Sequence, residues 1–138
     1  MKKRLVNLLG LGLLLATVSA NAQSIYVKAN IPFNFVVTGA TLPAGTYSIR
    51  SMSLDGRALS ISAPDVKVQS MVLALPCKRL EPSTRTKLLF HRYGDQYFLT
   101  EIWVAGRQEG HAFRKSPRET EVAKDFTMKE VVLLASLR

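Results

Sequence analysis

Apolar residues recur at every second position at the start of the chain's first polar-apolar stretch, where Ile31, Phe33, Phe35 and Val37 lie opposite Asn30, Pro32 and Asn34. A period of two predicts a half-buried strand over residues 27–37. Pro32 has no N–H to give to a ladder, so this strand belongs at a sheet edge or breaks near Pro32. Residues 38–45 then supply turn formers and end in Pro43-Ala44-Gly45, after which Tyr47 and Ile49 resume the alternation. Leu54-Asp55-Gly56-Arg57 reads as a hairpin turn before a strand at 58–62, and Pro64-Asp65 as another before 66–75. Residues 77–86 carry Lys78, Arg79, Glu81, Pro82 and Arg85 without periodicity, which predicts the longest exposed loop.

The second half of the pattern is aromatic. Phe90, Tyr93, Tyr97, Phe98 and Trp103 fall in residues 87–104 and are divided by Gly94-Asp95, a pair suited to a type II′ hairpin. Ser116-Pro117-Arg118-Glu119 is a helix start, with Ser as N-cap, Pro at the first position and Glu three residues beyond the cap. The helix is expected to end by Lys124 or Asp125, leaving Val122 and Phe126 to seal one end of a sheet. Residues 130–137 read EVVLLASL, and their Val pair and length favour a buried strand over a final helix. Strands therefore recur every eight to twelve residues. The predicted fold is mainly β: a small antiparallel barrel or sandwich of about seven to nine strands with one short helix near the C-terminus.

Composition narrows the class. Of 138 residues, 47% are hydrophobic and 21% charged, with one Cys, which excludes a disordered chain and a disulfide scaffold. The absence of a repeat or linker makes residues 23–138 a single domain. Residues 1–22 have a different character. Lys2, Lys3 and Arg4 precede a leucine-rich run, and Ala20 and Ala22 offer small side chains to a signal peptidase. This is the pattern of a signal peptide, with cleavage expected between Ala22 and Gln23 and a periplasmic or secreted product. The mature chain would hold 16 basic and 10 acidic groups, a net charge of +6, and no apolar run long enough for a helical membrane span.

Three stretches together resemble a family of small exported β-rich proteins common in soil bacteria: Ile31-Pro32-Phe33-Asn34-Phe35, Leu42-Pro43-Ala44-Gly45-Thr46-Tyr47, and the run FHRYGDQYFL from Phe90 to Leu99. The resemblance covers most of the mature chain. It implies export and a β fold, and it implies no catalytic or binding residues.

Candidate chemistry is sparse. Cys77, His91 and His111 do not lie at ligand spacing, so neither a metal nor another cofactor is expected. Cys77 follows Pro76 in an apolar run, where nothing activates a thiolate; a small buried residue is the simpler reading, with an intermolecular disulfide as the alternative in an oxidising compartment. Asp95 is accounted for by its turn and Glu101 by solvent, and with Glu109 they suggest no acid-base pair. No nucleophile elbow or phosphate-cradling loop occurs, so catalysis is not expected.

The basic excess offers more. Lys78, Arg79, Arg85 and Lys87 lead into the aromatic hairpin and are the candidate contacts for an anionic cell-envelope polymer. Export argues against nucleic acid as the natural partner, and interspersed Glu residues fit an ordinary solvated surface as well. The leading expectation is a non-catalytic envelope interaction or structural protein. The second is a carrier whose barrel interior, lined by Phe90, Phe98 and Trp103, holds a small apolar ligand. A third, an enzyme, would need titratable groups converging in one cleft. An outer-membrane barrel would use nearly all of the mature chain as strands and leave no room for the loop and the helix.

Overall fold

The alternation at 31–37 does not run as one strand. The computed structural model describes residues 24–137, so the export signal and the Ala22–Gln23 bond lie outside the described residues. Within them, β1 (Tyr26–Ile31) ends at Pro32, and β2 (Phe35–Val37) restarts in a different sheet. Pro32 marks the corner between the two layers, consistent with a residue that cannot donate to a ladder.

The strands β3 (Ala40–Leu42), β4 (Gly45–Ser51), β5 (Ala58–Ala63) and β6 (Val68–Leu73) follow, then β7 (Leu75–Lys78), β8 (Lys87–Tyr93), β9 (Gln96–Trp103) and β10 (Glu109–Ala112). The helix α1 (Pro117–Val122) precedes β11 (Met128–Leu134) and β12 (Ser136–Leu137). One sheet has the order β12-β1-β4-β5-β6 and the other the order β11-β8-β9-β10-β7, with β2 added beside β9 and β3 beside β2. Neither sheet closes on itself, so the fold is a sandwich and not a barrel. The described residues form twelve short strands where seven to nine were expected: the chain changes sheets at Pro32, Ala74 and Ala135 and cuts three expected apolar stretches in two, while β3 lies within the predicted turn at 38–45 and β10 in a stretch given no strand. Pairing is antiparallel apart from β2, which runs parallel to β9 at Phe35↔Tyr97 and Val36↔Phe98.

The inward faces form one core. Val27, Ile31, Tyr47, Ile49, Leu59 and Ile61 from the first sheet meet Phe35, Leu88, Phe90, Leu99 and Ile102 from the second. Phe90 is fully buried, edge-on to both Phe33 and Phe35, an arrangement that favours contact between positive ring edges and negative ring faces. Burial of each such large side chain contributes on the order of 1.5–3 kcal/mol. The corner at Pro43 is fixed from two sides: the Tyr47 hydroxyl donates to the Pro43 carbonyl, and the Ala44 N–H donates to Asn34 Oδ1 at 3.0 Å.

Local turn chemistry follows the sequence closely. Gly94 has φ +62° while Asp95 stays out of the positive region, the signature of a II′ turn between β8 and β9. Two expectations are corrected. Cys77 and Lys78 belong to β7, which pairs with β10, so the loop shortens to residues 79–86. The final apolar stretch is a strand, β11, but it is an edge strand: Val131 and Leu133 pack on the core while Val132 and Leu134 on the other face are about half exposed.

Candidate functional site

A bulge decides which side chains reach the outer face of the larger sheet. Leu89 of β8 pairs with Glu101 and Phe90 with Leu99, which leaves Thr100 as an extra residue in β9, its hydroxyl donating to the Leu89 carbonyl at 3.0 Å. The extra residue reverses the alternation. Before it, Leu99 faces the core; after it, Ile102 and Val104 do, so Glu101 and Trp103 share the outer face. There the Trp103 Nε1–H donates to Glu101 Oε2 at 2.6 Å. The Arg79 guanidinium lies 4.2 Å above the Trp103 ring, with an Nη2 3.9 Å from the same carboxylate oxygen. Glu101 is thus an organised acceptor, and the expectation that solvent alone accounts for it is corrected.

The loop at 79–86 is tied to the turn between β9 and β10. The Arg79 N–H donates to the Gln108 carbonyl at 2.9 Å, the Ser83 N–H to the Arg107 carbonyl at 3.0 Å, and the Gly106 N–H to the Ser83 carbonyl at 2.8 Å. The Ser83 side chain is buried and donates to the Arg85 carbonyl at 2.7 Å. These bonds satisfy backbone groups that a free loop would leave to water. Of the four basic candidates, Arg79 and Lys87 line one open cleft of about 420 Å³ along this loop. Lys78 pairs in register with Glu109 at the end of β7, and Arg85 is exposed in the loop; neither lines the cleft.

A second arrangement on the same outer face is built around α1. The Ser116 Oγ accepts from the Glu119 N–H at 3.1 Å, so the predicted N-cap is present. The reciprocal half of the box is not: the Glu119 carboxylate, 4% exposed, accepts instead from the Tyr93 hydroxyl at 3.1 Å and lies 3.7 Å from His91 Nδ1. Burial, with help from the neighbouring carboxylate, pushes the Tyr93 hydroxyl up to about 12. His91 sits half-buried between its register partners Phe98 and Glu130. An open groove of about 510 Å³ runs past His91, Tyr93, Glu101 and Glu119. Nothing in the sequence paired Tyr93 with Glu119, since they lie in different elements; the helix cap was the one legible part of this site.

The remaining candidates are dispersed. Cys77 is half-buried, and burial together with Glu101 raises its thiol to about 11 against the opposing influence of Arg79. His111 is buried opposite Ile102 in β10. Asp95 occupies the II′ turn. The three aromatics proposed to line a ligand chamber do not share one: Phe90 is in the main core, Phe98 belongs to a separate cluster with Val36 and Tyr93 against α1, and Trp103 lies under Arg79. No group of three or more His, Cys, Asp or Glu suited to a metal ion occurs among the described residues, and no helix of the described residues is long and apolar enough to cross a membrane.

No protein-family model matches the chain, and no curated protein or solved structure matches it.

Proposed function

We propose that this is an exported, non-catalytic β-sandwich domain that binds an anionic polymer of the cell envelope along the loop at 79–86. The observation that carries this reading is the tethering of that loop: its backbone is held by the bonds of Arg79 and Ser83 to the turn between β9 and β10. A loop ordered before binding loses less conformational freedom when a partner arrives. Arg79 and Lys87 line one cleft together with Glu81, and the exposed Lys78 and Arg85 add positive charge beside them in the chain. The excess of basic over acidic residues draws a polyanion from a distance. One groove does bring His91, Tyr93, Glu101 and Glu119 together, but both of these carboxylates are engaged by structural partners, Glu119 by Tyr93 and Glu101 by Trp103 and Arg79, which supports the non-catalytic part of the reading. Export rests on the signal-peptide pattern and on the family resemblance.

The test is retention of the mature protein on an immobilised acidic polysaccharide across a salt gradient. Lys78→Glu combined with Arg85→Glu should elute early, and Lys124→Glu with Lys129→Glu, an equal charge change elsewhere, should elute near the parent. Equal shifts for both pairs would reduce the effect to net charge and remove the loop as the contact. N-terminal sequencing of the protein from its own cells should begin at Gln23; recovery of the form that starts at Met1 in the membrane fraction would replace the cleaved product with an uncleaved membrane anchor.

A further inference from the structure

The five strand edges formed by the described residues are not equally protected. Sheet edges carry unpaired backbone groups that recruit other strands, and folded proteins blunt them with short length, charge, Pro or bulges. Here β12 has two residues and β3 has three, β7 contains Pro76 and Lys78, and β11 carries Lys129 and Glu130. The edge strand β6 has none of these devices. It is six residues long, VQSMVL, without charge or Pro, and it pairs with β5 in unbroken register from Ala58↔Leu73 to Ala63↔Val68.

The direction of its backbone groups follows from one bond. The Ala74 N–H donates to the Arg57 carbonyl at 2.7 Å, which makes Arg57↔Ala74 a hydrogen-bonded pair. Antiparallel ladders alternate such pairs, so Val72, Ser70 and Val68 also bond toward β5, whereas Leu73, Met71 and Gln69 aim their N–H and C=O groups at the open edge. The other side of β5 agrees, since Met52 N–H donates to the Ala58 carbonyl at 2.8 Å and Ala58 is therefore committed to β4. Met71 and Leu73 are 64% and 73% exposed.

Along this edge runs a groove of about 620 Å³ whose walls include the consecutive residues Met71, Val72 and Leu73, with Leu75, Arg114 and Lys115. Its lining holds two cations and no carboxylate. We infer that β6 is a docking edge for an extended segment of an acidic polypeptide, which adds as a further strand, lays alternate apolar side chains against Met71, Leu73 and Leu75, and sets carboxylates against Arg114 and Lys115. Charge selects this occupant. A second copy of this chain would bring another uncharged β6 and further net positive charge to a groove that is already basic. An anionic lipid would match the cations but cannot satisfy a row of outward N–H and C=O groups.

This surface is separate from the loop at 79–86, and its test does not depend on polymer binding. The mature protein is titrated with a synthetic peptide alternating Glu and Val, with an alternating Lys and Val peptide as control, and amide hydrogen exchange is followed by residue. The acidic peptide should bind at least about tenfold tighter than the basic one, and exchange at Gln69, Met71 and Leu73 should slow, while Ser70 and Val72 are protected before it is added. Met71→Pro deletes an outward N–H without removing a bond to β5 and should weaken the peptide about tenfold. Arg114→Glu with Lys115→Glu leaves the edge intact, should abolish the preference for the acidic peptide, and decides the matter if the Pro variant does not fold. Equal binding of both peptides, or protection elsewhere, would overturn the proposal. So would protection of the same three amides by dimer formation in the absence of peptide, or by anionic vesicles.

Discussion

The Tyr93 hydroxyl donates to the buried Glu119 carboxylate at 3.1 Å, joining the end of β8 to the first turn of α1 across 26 positions of sequence. This bond attaches the helix to the outer face of the sheet, where Val122 and Ala123 cover Val36, Tyr93 and Phe98. Tyr93→Phe should cost about 1.5–3 kcal/mol, the range for a hydrogen bond to a charged group, read from the urea midpoint.

Alkaline pH should loosen the same contact. Tyr93 ionises near 10 when unfolded and at about 12 when folded, so the folded state favours the protonated phenol. Its contribution is therefore complete below about pH 10 and is lost as pH rises toward 12. Tyr47, raised mainly by burial, acts in the same direction. Denaturation midpoints should fall over this window, and Tyr93→Phe should flatten the fall without abolishing it. An equally steep fall in the variant would assign the effect to other groups.

Ser116→Ala removes the acceptor for the Glu119 N–H and should cost about 1 kcal/mol. Because the Glu119 carboxylate is held by Tyr93, Glu119→Gln should be a distinct lesion that changes the alkaline profile, whereas Ser116→Ala should leave that profile unaltered. Midpoints of both variants, taken at neutral pH and above pH 10, separate the two roles.

Gly110 is required by its neighbour. A Cβ there would stand 2.7 Å from Trp103 Cε3 and 2.9 Å from the Ile102 carbonyl oxygen, and backbone cannot retreat as a flexible side chain would. Gly110→Ala should cost about 1–3 kcal/mol and shift the tryptophan emission as the indole is displaced. Arg79→Glu should also destabilise, because it sets a carboxylate over the ring and beside Glu101. Arg85→Glu, in the exposed part of the loop, should stay within about 0.5 kcal/mol of the parent.

Cys77 should react slowly with iodoacetamide at neutral pH. With its thiol raised to about 11, little thiolate is present at pH 8, and the alkylation rate should keep climbing well past the pH at which a free cysteine levels off. A plateau near pH 9 would show that the burial responsible for the shift is relieved in solution.

The sequence by itself determined the class of fold and much of its punctuation. Period-two alternation at Tyr47–Ile49, the Gly94-Asp95 turn and the Ser116 cap are local properties, set by Cβ direction, allowed φ and an acceptor three residues from an N–H. The tertiary structure decided what lies opposite what. No local rule placed the extra residue at Thr100, yet that bulge turns Glu101 and Trp103 outward together and so creates the Arg79 stack. Alternation says which side chains share a face of one strand, but it does not say where the chain leaves one sheet for the other. The breaks at Ala74 and Ala135 depend on packing between layers, and each splits an expected strand between the two sheets. Glu119 shows the same division: its position in the helix was legible, while its partner Tyr93 was chosen by where the helix came to rest.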